Sequence, residues 1–227
     1  MARHQSLVEG MRRGIPVVVG YFPIALAFGM LAREQIPFSH AVSMSALVFA
    51  GASQFMALEL LSAHARAVEL VAATFLMNFR HFIMSIAVSH RLAGSSRAAP
   101  LLAFGLTDET FAVAATRGNL TPGFMLGVEL VSYSSWVSGT AVGYLAGSLI
   151  HPLVQQGMGI ALYALFAALL VPHIRRSFRV GLVAASAAGF NTMLHRTAGV
   201  QAGWSLVIAV LLASLIGSVL DLPEASS

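Results

Sequence analysis

The chain has 227 residues, 57% of them hydrophobic and only 10% charged, with a formal net charge of +4 and no cysteine. Soluble domains carry roughly a quarter charged residues, so an ordinary soluble fold is excluded, and with cysteine go disulfides, thiolate catalysis and cysteine metal sites. The 13 basic residues are all arginine, scattered singly or in pairs between apolar runs, which is how loop charges orient a membrane protein and not how a nucleic-acid surface is built.

Apolar stretches long enough to cross roughly 30 Å of hydrocarbon fall near 15–33, 41–63, 68–90, 98–116, 124–149, 157–173, 178–194 and 203–220. The reading is all-α: a polytopic helical membrane protein of seven or eight transmembrane segments, forming one transmembrane domain over residues 1–227. Residues 1–14 superficially resemble a signal peptide, but more spans follow at once, so a retained first helix is expected. With eight spans, Arg3, Arg12, Arg13, Arg66, Arg117, Arg175, Arg176 and Arg179 share one side, against Arg33, Arg91, Arg97 and Arg196. That bias puts the N-terminus in the cytoplasm.

In the first span, Pro23 and Gly29 in "GYFPIALAFG" mark a place for a helix break. The second, "SALVFAGASQFMALELL", has the small residues Ser45, Ala50, Gly51, Ala52 and Ser53, which let backbones approach closely, with a break expected at Gly51. Gln54 lies deep and is a pathway candidate, with Phe55 beside it. Glu59, nearer an end, reads as solvated or paired.

The third span carries "TFLMNFRHFIMS", residues 74–85. An arginine near the middle of such a helix costs roughly 3 kcal/mol on insertion scales, and Arg80 is too far from either end to snorkel. It requires a partner or a wet cavity. Asn78, His81 and Ser85 share another face of the same helix. A core histidine and a proton carrier are equally served by His81.

The fourth span, "LAFGLTDETFAVAA", places Thr107, Asp108, Glu109 and Thr110 consecutively in apolar sequence. At about 100° per residue they would encircle a regular helix and face lipid on one side. The span is therefore expected to be interrupted after Gly105, near the midplane, with its polar groups turned to a protein cavity. Asp108 is the natural partner of Arg80, either as a pair that only sets helix register or as part of a site. The fifth span adds Glu129, Trp136 and Thr140, with Trp136 mid-span in a packing or cavity-lining place. "AFGM" at 27–30 and "AFGL" at 103–106 hint faintly at an inverted repeat.

A cation, two acids, helix breaks and apolar lining suit a small zwitterion with an apolar side chain. The candidate substrate-binding residues are Arg80, Asp108, Glu109, Asn78, Gln54, Phe55 and Trp136, with Phe79 or Phe82 as further apolar surface. His81, Asp108 and Glu109 are the proton-coupling candidates. No HExxH spacing or other metal set occurs, no cofactor is called for, and the Ser85–His81 pair alone is weak support for an enzyme. A channel and a non-transporting structural subunit are the competing classes.

"FPIALAFGMLA", "MSALVFAGASQFMALELL", "TFLMNFRHFIMS" and "FGLTDETFA", in that order, resemble the AzlC family of bacterial branched-chain amino acid exporters, with Phe79 where that family usually has Leu. The resemblance implies the large subunit of a two-component permease in the bacterial inner membrane, with a small AzlD-type membrane subunit as partner. It further implies export of branched-chain amino acids driven by the proton gradient.

Overall fold

A computed structural model of the chain describes residues 2–92, 99–147, 177–197, 199, 200 and 202–220, with 149, 167, 170, 171, 174 and 175. Among the described residues the helices are α1 (Ala2–Arg33), α2 (Phe38–Val48), α3 (Gly51–Ser62), α4 (Ala67–Ser89), α5 (Ala99–Phe104), α6 (Asp108–Ala115), α7 (Pro122–Ala146), α8 (Phe178–Arg196) and α9 (Ala202–Leu220). No strand occurs among them, only an isolated bridge between Leu92 and Leu120. Of the expected span at 157–173, all but residues 167, 170 and 171 lie outside the described residues. Two of the helices, over Gln5–Arg33 and Ala67–Ser89, are long and apolar enough to cross a membrane by length and hydropathy.

The chain forms two compact units, Met1–Leu58 with Met77–Gly159, and Glu59–Leu76 with Ile160–Ser227. In the first, α7 is the central helix: α1, α2, α5 and α6 all pack on it. Thr121 caps it, its Oγ1 accepting from Phe124 N at 3.3 Å, and Pro122 follows at a position where a missing N–H costs nothing. Helices α1 and α7 run in the same direction with their backbones nearly touching. A Cβ on Gly10 would strike the Phe124 backbone, and one on Gly127 would strike Leu7 and Met11. At the other end, one on Gly29 would lie 2.7 Å from Tyr144 N, and one on Gly143 would lie 2.7 Å from Leu26 C and Cα. The small-residue seam is thus between the first and fifth spans, where dispersion contacts and backbone proximity hold helices without hydrophobic help from water. The two ends of this pair are tied by Glu9 with Arg117, and by Arg33, whose Nη1 donates to Tyr144 O at 3.1 Å.

Helix α1 continues through Pro16 and Pro23, which corrects the break expected at Pro23 and Gly29. Close packing on α7 holds the helix on course, and Gly29 serves that contact rather than a kink. The two breaks lie instead in the second and fourth spans. Between α2 and α3, Phe49 adopts φ 37 and ψ 44, two residues before Gly51, at which a break is expected. Between α5 and α6 the chain breaks over Gly105, Leu106 and Thr107, as the polar run demands. "AFGM" lies within continuous α1 and "AFGL" ends α5, so the two tetrapeptides differ in local structure.

In the second unit, α8 packs on α9, and Ser205 Oγ donates to Asn191 Oδ1 at 2.9 Å. Glu69, fully buried, packs against Gly203 and accepts from Arg66 Nε at 3.2 Å.

Candidate functional site

The break in the fourth span is built by two threonines. Thr107, extended at φ −125 and ψ 174, caps α6 by accepting from Thr110 N at 3.3 Å, and Thr110 Oγ1 accepts from Thr107 N at 2.8 Å. Thr110 Oγ1 also lies 3.2 Å from the carbonyls of Gly105 and Thr107. Local hydroxyls thus satisfy the interrupted backbone, as hydrocarbon or protein surroundings require. Asp108 and Glu109 are left to reach outward from the first turn of α6, where unpaired amide N–H groups favour negative charge.

Each acid has a distant partner. Arg80 Nη1 lies 2.7 Å from Asp108 Oδ2, with the side chains 44% and 30% exposed. The Tyr21 hydroxyl lies 2.5 Å from Glu109 Oε2 and 2.6 Å from Thr107 Oγ1. Having one proton, it donates to one of these at a time. Tyr21 is buried, and its ring meets Trp136 edge-on at 5.2 Å between centroids.

Through Trp136 the arrangement extends to the other break. Trp136 Nε1 donates to Gln54 Oε1 at 2.7 Å, Gln54 Nε2 donates to Ser45 Oγ at 3.0 Å, and Ser45 and Thr140 share a 2.7 Å hydroxyl contact. All four side chains are buried. A Cβ on Gly51 would come within 2.5 Å of the Trp136 ring, so only glycine lets the indole cover the start of α3. Phe49, at the same break, places its ring 6.1 Å from Tyr21 and 5.3 Å from Tyr133.

This network gives a direct expectation. Gln54→Leu strands the Trp136 N–H in a buried place, at a cost of about 1–3 kcal/mol, while Ser45 keeps its contact with Thr140. Thermal unfolding should therefore begin several degrees lower than in the parent, whereas Gln54→Glu should retain a partner for Trp136. Equal melting of Gln54→Leu and the parent would show that the network contributes nothing.

Of the residues expected from sequence, Arg80, Asp108, Glu109, Gln54 and Trp136 thus belong to one connected set within the first unit, joined by Tyr21. Asn78 stands beside it, accepting from Ser53 Oγ at 2.9 Å. His81, half-buried next to Arg80, has no hydrogen bond to the described residues. Phe55 is buried against Phe28, ring centroids 5.4 Å apart, so it serves core packing there. Phe79 and Phe82 lie on the exposed face of α4. Two residues were undervalued by sequence. Tyr21 offered only a hydroxyl in an apolar run. Glu129 offered the same signal as Glu59, yet Glu59 is exposed whereas Glu129 is buried, with Oε1 lacking a hydrogen-bond partner among the described residues. Glu129 borders a cavity of about 290 Å³ with Leu101, Phe104, Gly105, Leu126, Leu130 and Tyr133.

The family described as AzlC protein matches residues 16–150. An uncharacterized membrane protein of Archaeoglobus fulgidus is 40% identical over 188 residues, covering 78% of this chain and 82% of that one. The inner membrane protein YgaZ of Escherichia coli is 32% identical over 234 residues, covering 97% and 91%. The branched-chain amino acid transport protein AzlC of Bacillus subtilis is 28% identical over 163 residues, covering 69% and 63%. No solved structure matches the chain.

Proposed function

This chain belongs to the AzlC family of membrane proteins, and we propose that it is a secondary transporter exporting branched-chain amino acids across the bacterial inner membrane. In this reading it is multi-pass with a cytoplasmic N-terminus, is driven by the proton gradient, and works with a small AzlD-type membrane subunit. The named activity of the Bacillus subtilis relative supports the substrate class.

The observation that carries the reading is the Arg80–Asp108 pair standing beside Glu109 and Tyr21 at an interrupted helix. A zwitterion needs a cation for its carboxylate and an anion for its ammonium. Here both signs are present, and each is held by a partner that substrate can displace: the carboxylate replaces Asp108 on Arg80, and the ammonium takes the released acid. Because one ion pair is exchanged for two, the substrate is bound without leaving a charge unmatched in a medium where that is costly. His81, Asp108 and Glu109 remain the proton-carrying candidates.

The test is efflux of radiolabelled leucine, isoleucine and valine from cells lacking other exporters, with and without the small subunit, and with the proton gradient intact or collapsed. Saturable efflux, stimulated by unlabelled substrate outside and slowed when the gradient collapses, is the expected outcome. Unsaturable flux without counterflow would identify a channel instead.

A further inference from the structure

We propose that the cavity beside the fourth-span break binds the ammonium end of a small apolar amine or amino acid, with Glu129 as its counter-charge. The site is separate from the Arg80–Asp108 pair, and it deepens the transport reading above by giving the substrate's positive end a second stopping place.

Glu129 is only 5% exposed, and Oε1 has no partner among the described residues. A buried carboxyl is normally hydrogen-bonded or paired, so a group of this kind bordering a cavity marks a place where something cationic is received. The surroundings define the class. Phe104 and Tyr133 line the same cavity, and aromatic faces attract ammonium groups. Leu101, Leu126 and Leu130 supply apolar wall for hydrocarbon. The Tyr133 hydroxyl donates to Ala46 O at 3.0 Å, which leaves its oxygen free to accept from an N–H. Among the described residues no arginine or histidine lines this cavity, so a carboxylate finds no cation from them there. The part received is therefore an ammonium with a short hydrocarbon body, and the carboxylate of an amino acid stays outside the cavity.

Position links the cavity to the break. A Cβ on Gly105 would lie 2.6 Å from Glu129 Cδ and Oε2. The carboxyl is thus held against the residue where α5 stops, and occupation of the cavity and the geometry of the interrupted span are mechanically joined.

The experiment uses the purified full-length protein in nanodiscs and ligand-induced thermal shift, with three probes sharing one hydrocarbon skeleton type: isoamylamine, L-leucine and 4-methylpentanoate. In the parent protein, isoamylamine should raise the melting temperature in a saturable way. In Glu129→Gln its apparent affinity should fall about tenfold or more, with the response to 4-methylpentanoate unchanged. Leu101→Trp, which fills the cavity and leaves the carboxyl intact, should remove the amine response as well, and it decides the matter if Glu129→Gln does not fold. An amine response that is absent from the parent, or that survives undiminished in both variants, overturns the site. A protein that moves no branched-chain amino acid yet shows the Glu129-dependent amine response would sink the transport reading and keep this site, so the two fail separately.

Discussion

Replacing Arg80 by glutamine is expected to lower the initial rate of amino acid efflux by about 100-fold, equivalent to about 2.7 kcal/mol, with membrane insertion retained. In water, an ion pair as exposed as Arg80 with Asp108 would contribute only about 0–1 kcal/mol. Both residues lie instead within long apolar runs, where a guanidinium without partners costs roughly 3 kcal/mol even on the mildest scales. The parent protein therefore loses much by carrying Arg80 unless the charge is used. Uptake into inverted vesicles, which is the export direction there, and folded yield should be measured together for Arg80→Gln, Asp108→Asn and the double apolar variant Arg80→Leu with Asp108→Leu. If the pair is a binding device, the double variant restores folded yield but not flux. Recovery of flux in the double variant would reduce the pair to a register-setting contact.

Gly143→Leu should leave almost no folded protein. Its Cβ falls 2.7 Å from backbone atoms of Leu26, and backbone cannot swing aside as a side-chain tip does. The neighbouring contact at Gly29 is equally close to Tyr144 N, so α1 and α7 would have to part over several turns. Overpacking in cores typically costs about 1–3 kcal/mol, and separation of the two helices forfeits their contact as well. Gly189→Ala is the matched control, since no described residue lies within 4 Å of the added carbon and alanine favours helix by about 1 kcal/mol. Size-exclusion profiles of tagged protein should show a monodisperse peak for Gly189→Ala and aggregate for Gly143→Leu. A monodisperse, normally melting Gly143→Leu would mean that the close seam is not required.

Sequence revealed the fourth-span break because four adjacent polar residues admit no lipid-facing helix; that argument needs no knowledge of neighbours. The Arg80–Asp108 pairing followed from charge at depth in the same way. The second-span break was legible only approximately, because the residue that turns the chain is Phe49. A left-handed residue other than glycine costs about 1–2 kcal/mol, and what holds it is a set of rings from Tyr21, Tyr133 and Phe104, all distant in sequence. Pro23 misled for the opposite reason: local propensity favours a break, and contacts with α7 along α1 prevail. Tyr21 and Glu129 were illegible because single polar residues in apolar runs look alike until burial and partners are known.

The shared direction of α1 and α7 has an electrostatic consequence. Each helix behaves as a macrodipole with roughly half a positive charge at its start and half a negative charge at its finish, so side-by-side parallel helices repel at both extremities. Arg33, at the finish of α1, donates to the Tyr144 carbonyl near the finish of α7, and one guanidinium thereby neutralises both negative poles. Glu9 stands at the opposite extremity, close to the positive start of α7 and bound to Arg117, whose guanidinium covers the Phe124 ring at 4.3 Å. An inverted α7 would set Arg33 against amide N–H groups and Glu9 against carbonyls. These two side chains thus favour one polarity of the fifth span beside the first, each by about 0.3–1 kcal/mol.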